Sequence, residues 1–350
     1  VLSQQTVRLE LGVLLCVGVA MISFVTWQLY KPVSALMWSF IFSIVFANVV
    51  KVPQALRAGV DFCSSALLRA SIATLGLTVT AYVWLRVGIG AVNALLVVAI
   101  AYLLGIWIGK RLGLSSALST LIGVGTCICG ASAIAATAPA IGASEDETGL
   151  ALACVTLFGL MAMFSYPLLY AGTFVASWLG RSDVAYGIWV GTGIHETAQV
   201  VAAAANIGKV ALDAALLVKS IRIFMIGPIV VVASYLHRKA DANLVGKARI
   251  VVPTFAVLFV INTFICAMLD WASAVGLPSS AIKDWPALKS ILSLYVAPFL
   301  LATSFAGVGM KVNLASVGKM GGKAVIAGLA TATLTAVLAL LLAVVALPFL

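Results

Sequence analysis

The chain has 350 residues, of which 63% are hydrophobic and only 9% are charged, and its mean hydropathy is +1.18. A water-soluble surface carries many more charges, so a soluble globular protein is excluded and the chain is predicted to lie in a bilayer. The net charge of +10 is scattered over short connections rather than gathered into a patch, which argues against a nucleic-acid partner.

Apolar windows of about 20 residues, the length that crosses the hydrocarbon at about 1.5 Å per residue, recur from end to end. They predict an all-α polytopic membrane protein with about eleven transmembrane segments. The segments are predicted at residues 9–29, 33–50, 58–79, 88–108, 117–141, 150–178, 185–207, 211–236, 250–271, 291–308 and 324–349. Because every polar connection is short, residues 1–350 are predicted to form a single membrane domain.

Basic residues are richest in four connections, at residues 51–57, 110–111, 238–249 and 311–323. Basic loops are retained in the cytoplasm, and eleven crossings bring these four to the same side. The N-terminus is therefore predicted to be cytoplasmic and the C-terminus to lie outside. The same count predicts that the acidic run at residues 145–147 lies outside.

Residues 124–142 and 190–208 are two copies of one glycine-containing motif. Glycines in the first copy, up to Gly130, and the pair Gly191 and Gly193 in the second have the backbone freedom to interrupt a helix. Glycine-broken apolar segments are typical of the binding site of a membrane carrier, so we predict two discontinuous helices whose gaps lie close together. The alternative is that these small residues serve only close helix packing.

A helix that resumes after each gap needs a cap, which Ser132 is predicted to supply in the first copy and Thr197 in the second. The free N–H groups of a resuming helix favour an anion. Thr126, Ser132 and Thr192 are predicted to add hydroxyl groups to such a site.

Four ionisable residues are predicted to lie within the membrane. Lys219 and Arg222 are spaced i, i+3, which places both cations on one helix face, and a charge at that depth needs a partner or a watery cavity. They are predicted to attract a small anion, or alternatively to pair with Glu196. His195 titrates near physiological pH, so beside Glu196 it forms a candidate proton-coupling pair.

A weaker likeness links residues 76–86 to residues 309–319, which the predicted topology puts on opposite sides. That arrangement is typical of inverted repeats in alternating-access carriers. The two motif copies would instead be parallel if both cross the membrane fully, and a re-entrant segment around residues 167–193 would change the number of crossings.

Three strings carry a resemblance that extends over essentially the whole chain: GTCICGASAIAATAPAIGA, GIHETAQVVAAAA and LLVKSIRI. They are similar to the YeiH-type sulfate exporter family. The resemblance implies a bacterial inner-membrane carrier, distantly similar to the sodium/proton antiporter and bile-acid symporter group, with discontinuous helices at the substrate site and an elevator-like movement. One departure is Cys127, where the family pattern leads us to expect a small hydroxyl residue.

The main hypothesis is a secondary active transporter of a small oxyanion, sulfate or a related organosulfonate, coupled to protons or sodium. The predicted substrate-binding residues are Thr126, Cys129, Gly130, Ser132, Gly191, Thr192, Lys219 and Arg222. The predicted coupling residues are His195 and Glu196. Backbone donors are expected near Cys129/Gly130 and Gly191/Thr192.

Other classes are weighed against a carrier. An anion channel or a membrane sensor is the alternative, although most spans have few polar residues to line a pore. An intramembrane enzyme would depend on Cys129 with His195, a pair without a local signature, and enzymatic activity is not expected. No nucleotide motif is present, and the i, i+2 spacing of Cys127 and Cys129 is not that of metal ligands, so neither a cofactor nor a metal is predicted. The remaining expected partners are membrane lipid and, as an open question, a second copy in a homodimer.

Overall fold

The computed structural model describes residues 2–50, 52–79, 87–240, 254–275, 280–312 and 321–350. Every regular element in these ranges is helical, which confirms the all-α class. Eight helices in the described part of the chain have the length and composition to cross a membrane. Lys51, Lys247, Arg249 and Lys319, and most of the two segments that suggested an inverted repeat, lie outside the described residues.

In chain order the helices are α1 (Leu2–Leu29), α2 (Ala35–Val49), α3 (Gln54–Thr78), α4 (Gly88–Arg111), α5 (Ser116–Cys127), α6 (Ala131–Ala140), α7 (Glu145–Gly172), α8 (Val175–Trp178), α9 (Asp183–Gly193), α10 (Thr197–Ala205), α11 (Lys209–Phe224), α12 (Ile226–Ala240), α13 (Thr254–Val275), α14 (Ile282–Met310) and α15 (Gly322–Phe349). The chain forms two compact units. Unit 1 contains residues 1–81 and 254–314, and unit 2 contains residues 82–253 and 315–350.

Unit 1 is held together by close helix contacts at small residues. A Cβ atom on Gly12 of α1 would lie 2.7 Å from the Cα atom of Gly59 in α3, so only glycine fits where these two helices cross. Small residues at crossings are the usual basis of helix packing in a bilayer, where apolar burial alone gives little driving force.

A polar contact also joins α13 and α14. Asp270 of α13 accepts hydrogen bonds from Trp285 Nε1 at 2.9 Å and from Lys289 Nζ at 2.5 Å.

In unit 2, α5 and α6 form a hairpin that enters and leaves at the same end; we call it the first hairpin. Ser115, at the start of α5, donates a hydrogen bond to Glu147, and Ser144 caps α7 beside it. The loop after α6 has therefore returned to where α5 began. Twelve residues of α5 rise about 18 Å, so the turn of this hairpin lies about halfway through a bilayer.

The second hairpin consists of α9 and α10. Tyr186, near the start of α9, donates a hydrogen bond to the carbonyl of Ala203, near the end of α10, with an Oη–O distance of 3.2 Å. The backbone of α9 at Gly187 also packs against Ala211 at the start of α11. Both contacts require that the chain fold back on itself between the two helices, so α9 and α11 begin at the same end of the unit.

The two hairpins enter from opposite ends because the 28-residue helix α7 runs between them. Residues 117–141 and 185–207, which we predicted as crossings, are thus re-entrant hairpins, and this is a correction. The predicted location of the acidic run at residues 145–147 is wrong as well. Glu147 contacts Ser115, so the acidic run lies at the same end as the basic residues Lys110 and Arg111. Hydropathy alone could not show this, because a hairpin of two short apolar helices has the same length and composition as one span.

Candidate functional site

The turn of the first hairpin, residues 128–130, is irregular because its last residue adopts a conformation that suits glycine. Gly130 has φ +67°, and it precedes α6 without any side-chain cap. A Cβ atom added there would also meet the side chain of Glu196, 3.1 Å from its Oε1 atom. The prediction that Ser132 caps α6 is wrong, because the Ser132 Oγ atom lies 2.8 Å from Cys129 Sγ instead.

The turn of the second hairpin, residues 194–196, lies just after the predicted break at Gly191–Gly193. Ile194 and Glu196 have extended backbone angles, and Glu196 rather than Thr197 is the N-cap of α10. Gly191 is inside α9, where a Cβ atom would lie 2.6 Å from the carbonyl oxygen of Ala215. The close-packing interpretation is therefore right for Gly191, and the break needs no glycine of its own.

Arg222 of α11 joins the two turns. Its guanidinium is fully buried and makes five hydrogen bonds, all to backbone carbonyls. From the first hairpin the acceptors are Thr126 O at 2.7 Å and Cys127 O at 2.9 Å. From the second hairpin they are Gly191 O at 2.9 Å, Thr192 O at 2.6 Å and Ile194 O at 3.0 Å.

Lys219, one turn earlier on α11, makes a second link of the same kind. Its ammonium group is also fully buried. It donates to Ile128 O at 2.7 Å, to Ile194 O at 2.8 Å and to His195 O. An ammonium group has three N–H donors, and here three carbonyls use all of them.

These carbonyls belong to the C-terminal ends of α5 and α9, where a helix leaves its last C=O groups without partners and carries partial negative charge. The two cations satisfy both ends. Sequence reasoning identified Lys219 and Arg222 as the important buried charges, but it pictured them facing an anion or paired with Glu196. Among the described residues, neither lies within ion-pair distance of a carboxylate.

Glu196 lies on the other side of the same junction and is partly exposed. Its carboxylate accepts a hydrogen bond from Thr156 Oγ1 at 3.3 Å and packs against Gly130 of the first hairpin. Its backbone N–H donates to Gln199 Oε1 at 3.2 Å, and Gln199 Nε2 donates to Thr156 O at 3.2 Å. A small polar network therefore ties the second hairpin to α7.

Two buried side chains near the second turn make no hydrogen bond. Neither ring nitrogen of His195 has a partner, and neither does the hydroxyl of Tyr166, although both residues are at least 97% buried. The Tyr166 hydroxyl lies against Gly193, and its ring stacks on Trp189 at a centroid distance of 4.1 Å. Buried polar groups normally find partners, so groups of this kind mark a place where a ligand or water is expected.

The remaining predicted residues have more local contacts. Thr192 directs its hydroxyl to Ile188 O of its own helix at 2.6 Å, and only its carbonyl reaches Arg222. Thr126 likewise contributes its carbonyl to Arg222. Cys129 is buried beside the partly open start of α6, and its thiol contacts Ser132 rather than His195.

Sequence reasoning missed Thr156, Tyr166 and Gln199. Tyr166 and Thr156 lie on α7, which contains neither motif copy, and nothing in their local sequence distinguishes them from residues that face lipid. Only the structure shows that Gly159 makes room for Gln199, since a Cβ atom there would lie 2.8 Å from Gln199 Cδ.

Comparison with known proteins places this chain in a family. The family described as conserved hypothetical protein 698 matches residues 11–328. The UPF0324 inner membrane protein YeiH of Escherichia coli K12 is 32% identical over 295 residues, covering 83% of this chain and 79% of that protein. The chain belongs to this YeiH-type family.

Other relatives match this chain over a similar or greater length. The UPF0324 membrane protein of Yersinia pestis is 33% identical over 305 residues, which is 85% of this chain and 80% of the relative. A UPF0324 membrane protein of Agrobacterium fabrum is 29% identical over 337 residues, or 93% and 90% of the two chains. No solved structure matches the chain significantly. The resemblance inferred from the motifs is confirmed, and the protein is a membrane protein of this family.

Proposed function

We propose that this YeiH-type protein is a secondary active carrier of a small oxyanion, sulfate or a related organosulfonate, in the bacterial inner membrane. One observation carries the proposal: two re-entrant hairpins enter unit 2 from opposite ends, and their turns meet at Lys219 and Arg222. Interrupted helices that meet in the interior of a membrane protein are characteristic of carrier sites.

Because the hairpins enter from opposite ends of unit 2, each end is connected by its own hairpin to the junction where the two turns meet. Movement of the first hairpin would expose the junction at one end, and movement of the second would expose it at the other. This supports alternating access, and an elevator-like movement is the form that the family resemblance suggests. Positive-inside reasoning assigns the end with Lys110, Arg111 and Lys323 to the cytoplasm, with the N-terminus inside and the C-terminus outside.

The charge at the junction supports an anion as substrate. Lys219 and Arg222 bring two positive charges. The helix ends at the two turns roughly cancel one another, since α5 and α9 end there with about half a negative charge each and α6 and α10 begin there with about half a positive charge each. The sum is about +2 before Glu196 is counted. Ionised Glu196 lowers this surplus to about +1, and protonated Glu196 leaves all of it for a bound anion, so anion binding and protonation are expected to favour one another.

The unpartnered donors support an oxyanion in particular. The Tyr166 hydroxyl and a ring N–H of His195 need acceptors, and sulfate or sulfonate oxygens accept several hydrogen bonds. The same observation supports transport over catalysis, since the candidate nucleophile Cys129 has Ser132 as its neighbour and His195 makes no hydrogen bond to it.

The test is uptake of radiolabelled sulfate into proteoliposomes under imposed proton and sodium gradients, with methanesulfonate as competitor. Tyr166→Phe removes one hydroxyl while keeping the stack on Trp189, and we expect at least a tenfold loss of uptake. Tyr170→Phe is the matched control one turn further along α7 and should transport at nearly the wild-type rate. Absence of gradient-dependent sulfate flux in the wild type, or equal loss in both variants, would reject the proposal.

A further inference from the structure

Three backbone carbonyls converge on one point between the two hairpin turns, and the Lys219 ammonium occupies that point. Ile128 O comes from the first hairpin, and Ile194 O and His195 O come from the second. The group is fully buried, and no carboxylate in the described part of the chain lies within ion-pair distance of it. Carbonyl oxygens at helix ends are therefore the groups that solvate its charge.

Carbonyl oxygens at unwound helix ends are the ligands that membrane carriers offer to small alkali cations. An ammonium group and a sodium ion have the same charge and both seek oxygen lone pairs. The difference is that the ammonium group is covalently attached and cannot leave. A free cation has no room while the lysine side chain is in place.

We propose that Lys219 is a tethered substitute for a bound sodium ion, and that the three carbonyls form a latent sodium site which opens when the side chain is removed. Two consequences follow. The wild-type protein has no sodium-dependent step at this junction, and a variant without the ammonium group binds sodium there. The first consequence assigns coupling to protons and rests on the proposed carrier function; the second concerns the site alone.

The test uses thermal unfolding of the purified full-length chain, which needs no transport. Lys219→Ala is compared in buffers of sodium chloride and choline chloride at equal ionic strength, and Lys219→Met repeats the comparison with a side chain of similar volume. We expect Lys219→Ala to be less stable than the wild type in choline and to recover several degrees as sodium rises, with saturation, because a ligand that binds only the folded state stabilises it. Lys219→Met should recover less, since its side chain fills the space.

The matched control is Lys110→Ala, at the end of α4 in the same unit, where the lysine side chain is exposed. It should show the same small salt response as the wild type. Selective recovery of Lys219→Ala in sodium, or folding of that variant only in sodium, supports the proposal. An equal response of all four proteins, failure of Lys219→Ala to fold in either salt, or a selective sodium shift of the wild type overturns it.

The coupling consequence is checked separately in proteoliposomes. Wild-type sulfate uptake driven by a proton gradient should be the same in sodium and in choline. A sodium requirement would overturn the coupling assignment. Absence of any uptake would reject the carrier function while leaving the thermal result on the sodium site intact.

Discussion

Arg222→Met should destabilise the protein strongly, because the guanidinium is the common partner of carbonyls from both hairpins. Methionine fills a similar volume but donates no hydrogen bond. Four of the carbonyls that accept hydrogen bonds from Arg222 accept none from Lys219, so they would lose their only cationic partner. They are those of Thr126, Cys127, Gly191 and Thr192. At about 1 kcal/mol for each buried carbonyl left unsatisfied, the loss is about 4 kcal/mol, within the range measured when one member of a buried ionic contact is removed.

The measurement is the thermal unfolding midpoint of the purified protein in detergent, where a loss of this size is expected to lower the midpoint by about 10 °C. Arg57→Met is the control, since it removes the same charge from an exposed position of α3 and should change the free energy of unfolding by less than about 0.5 kcal/mol. If both variants unfold at the wild-type temperature, Arg222 does not hold the hairpin turns together. Arg222→Lys should lie between the two, because an ammonium group supplies three donors where the guanidinium makes five bonds.

Three further predictions concern the hairpins and their junction. Gly130→Ala should lower the free energy of unfolding by about 2 kcal/mol, because alanine is strained at φ +67° and its methyl group meets Glu196; thermal unfolding at wild-type temperature would contradict this. Glu196→Gln should keep sulfate binding, measured by ligand-induced thermal stabilisation, and flatten the pH dependence of uptake, whereas an unchanged pH profile would make Glu196 a structural residue. Single cysteines at Asp146 and Asp183, in a background without native cysteines, should react with membrane-impermeant maleimide from the cytoplasm and from outside respectively. Eleven full crossings require the opposite labelling of both sites.

Much of the fold followed from composition and hydropathy. Eight of the predicted segments correspond to helices long enough to cross a bilayer, because a continuous apolar helix of more than 20 residues has no other stable place than lipid. The two motif copies were also singled out as places where a helix is interrupted, although the second interruption lies at residues 194–196 rather than at Gly191–Gly193. A glycine with positive φ at residue 130 and a Lys-x-x-Arg pair on one helix face are local properties, which residue type and spacing reveal directly.

The tertiary structure decided which way the chain continues after each interruption and what the buried cations touch. A hydropathy profile does not show whether the chain continues or turns back, so the residues of α5 and α6 were predicted as one span. The contact between Ser115 and Glu147 shows that these two helices fold back on one another. The partners of Lys219 and Arg222 are backbone carbonyls, which every residue carries and no sequence pattern marks. Only the meeting of two hairpins from opposite ends creates a concentration of unpaired carbonyls, and that local negative potential is the physical reason why two positive charges are stable inside a membrane protein.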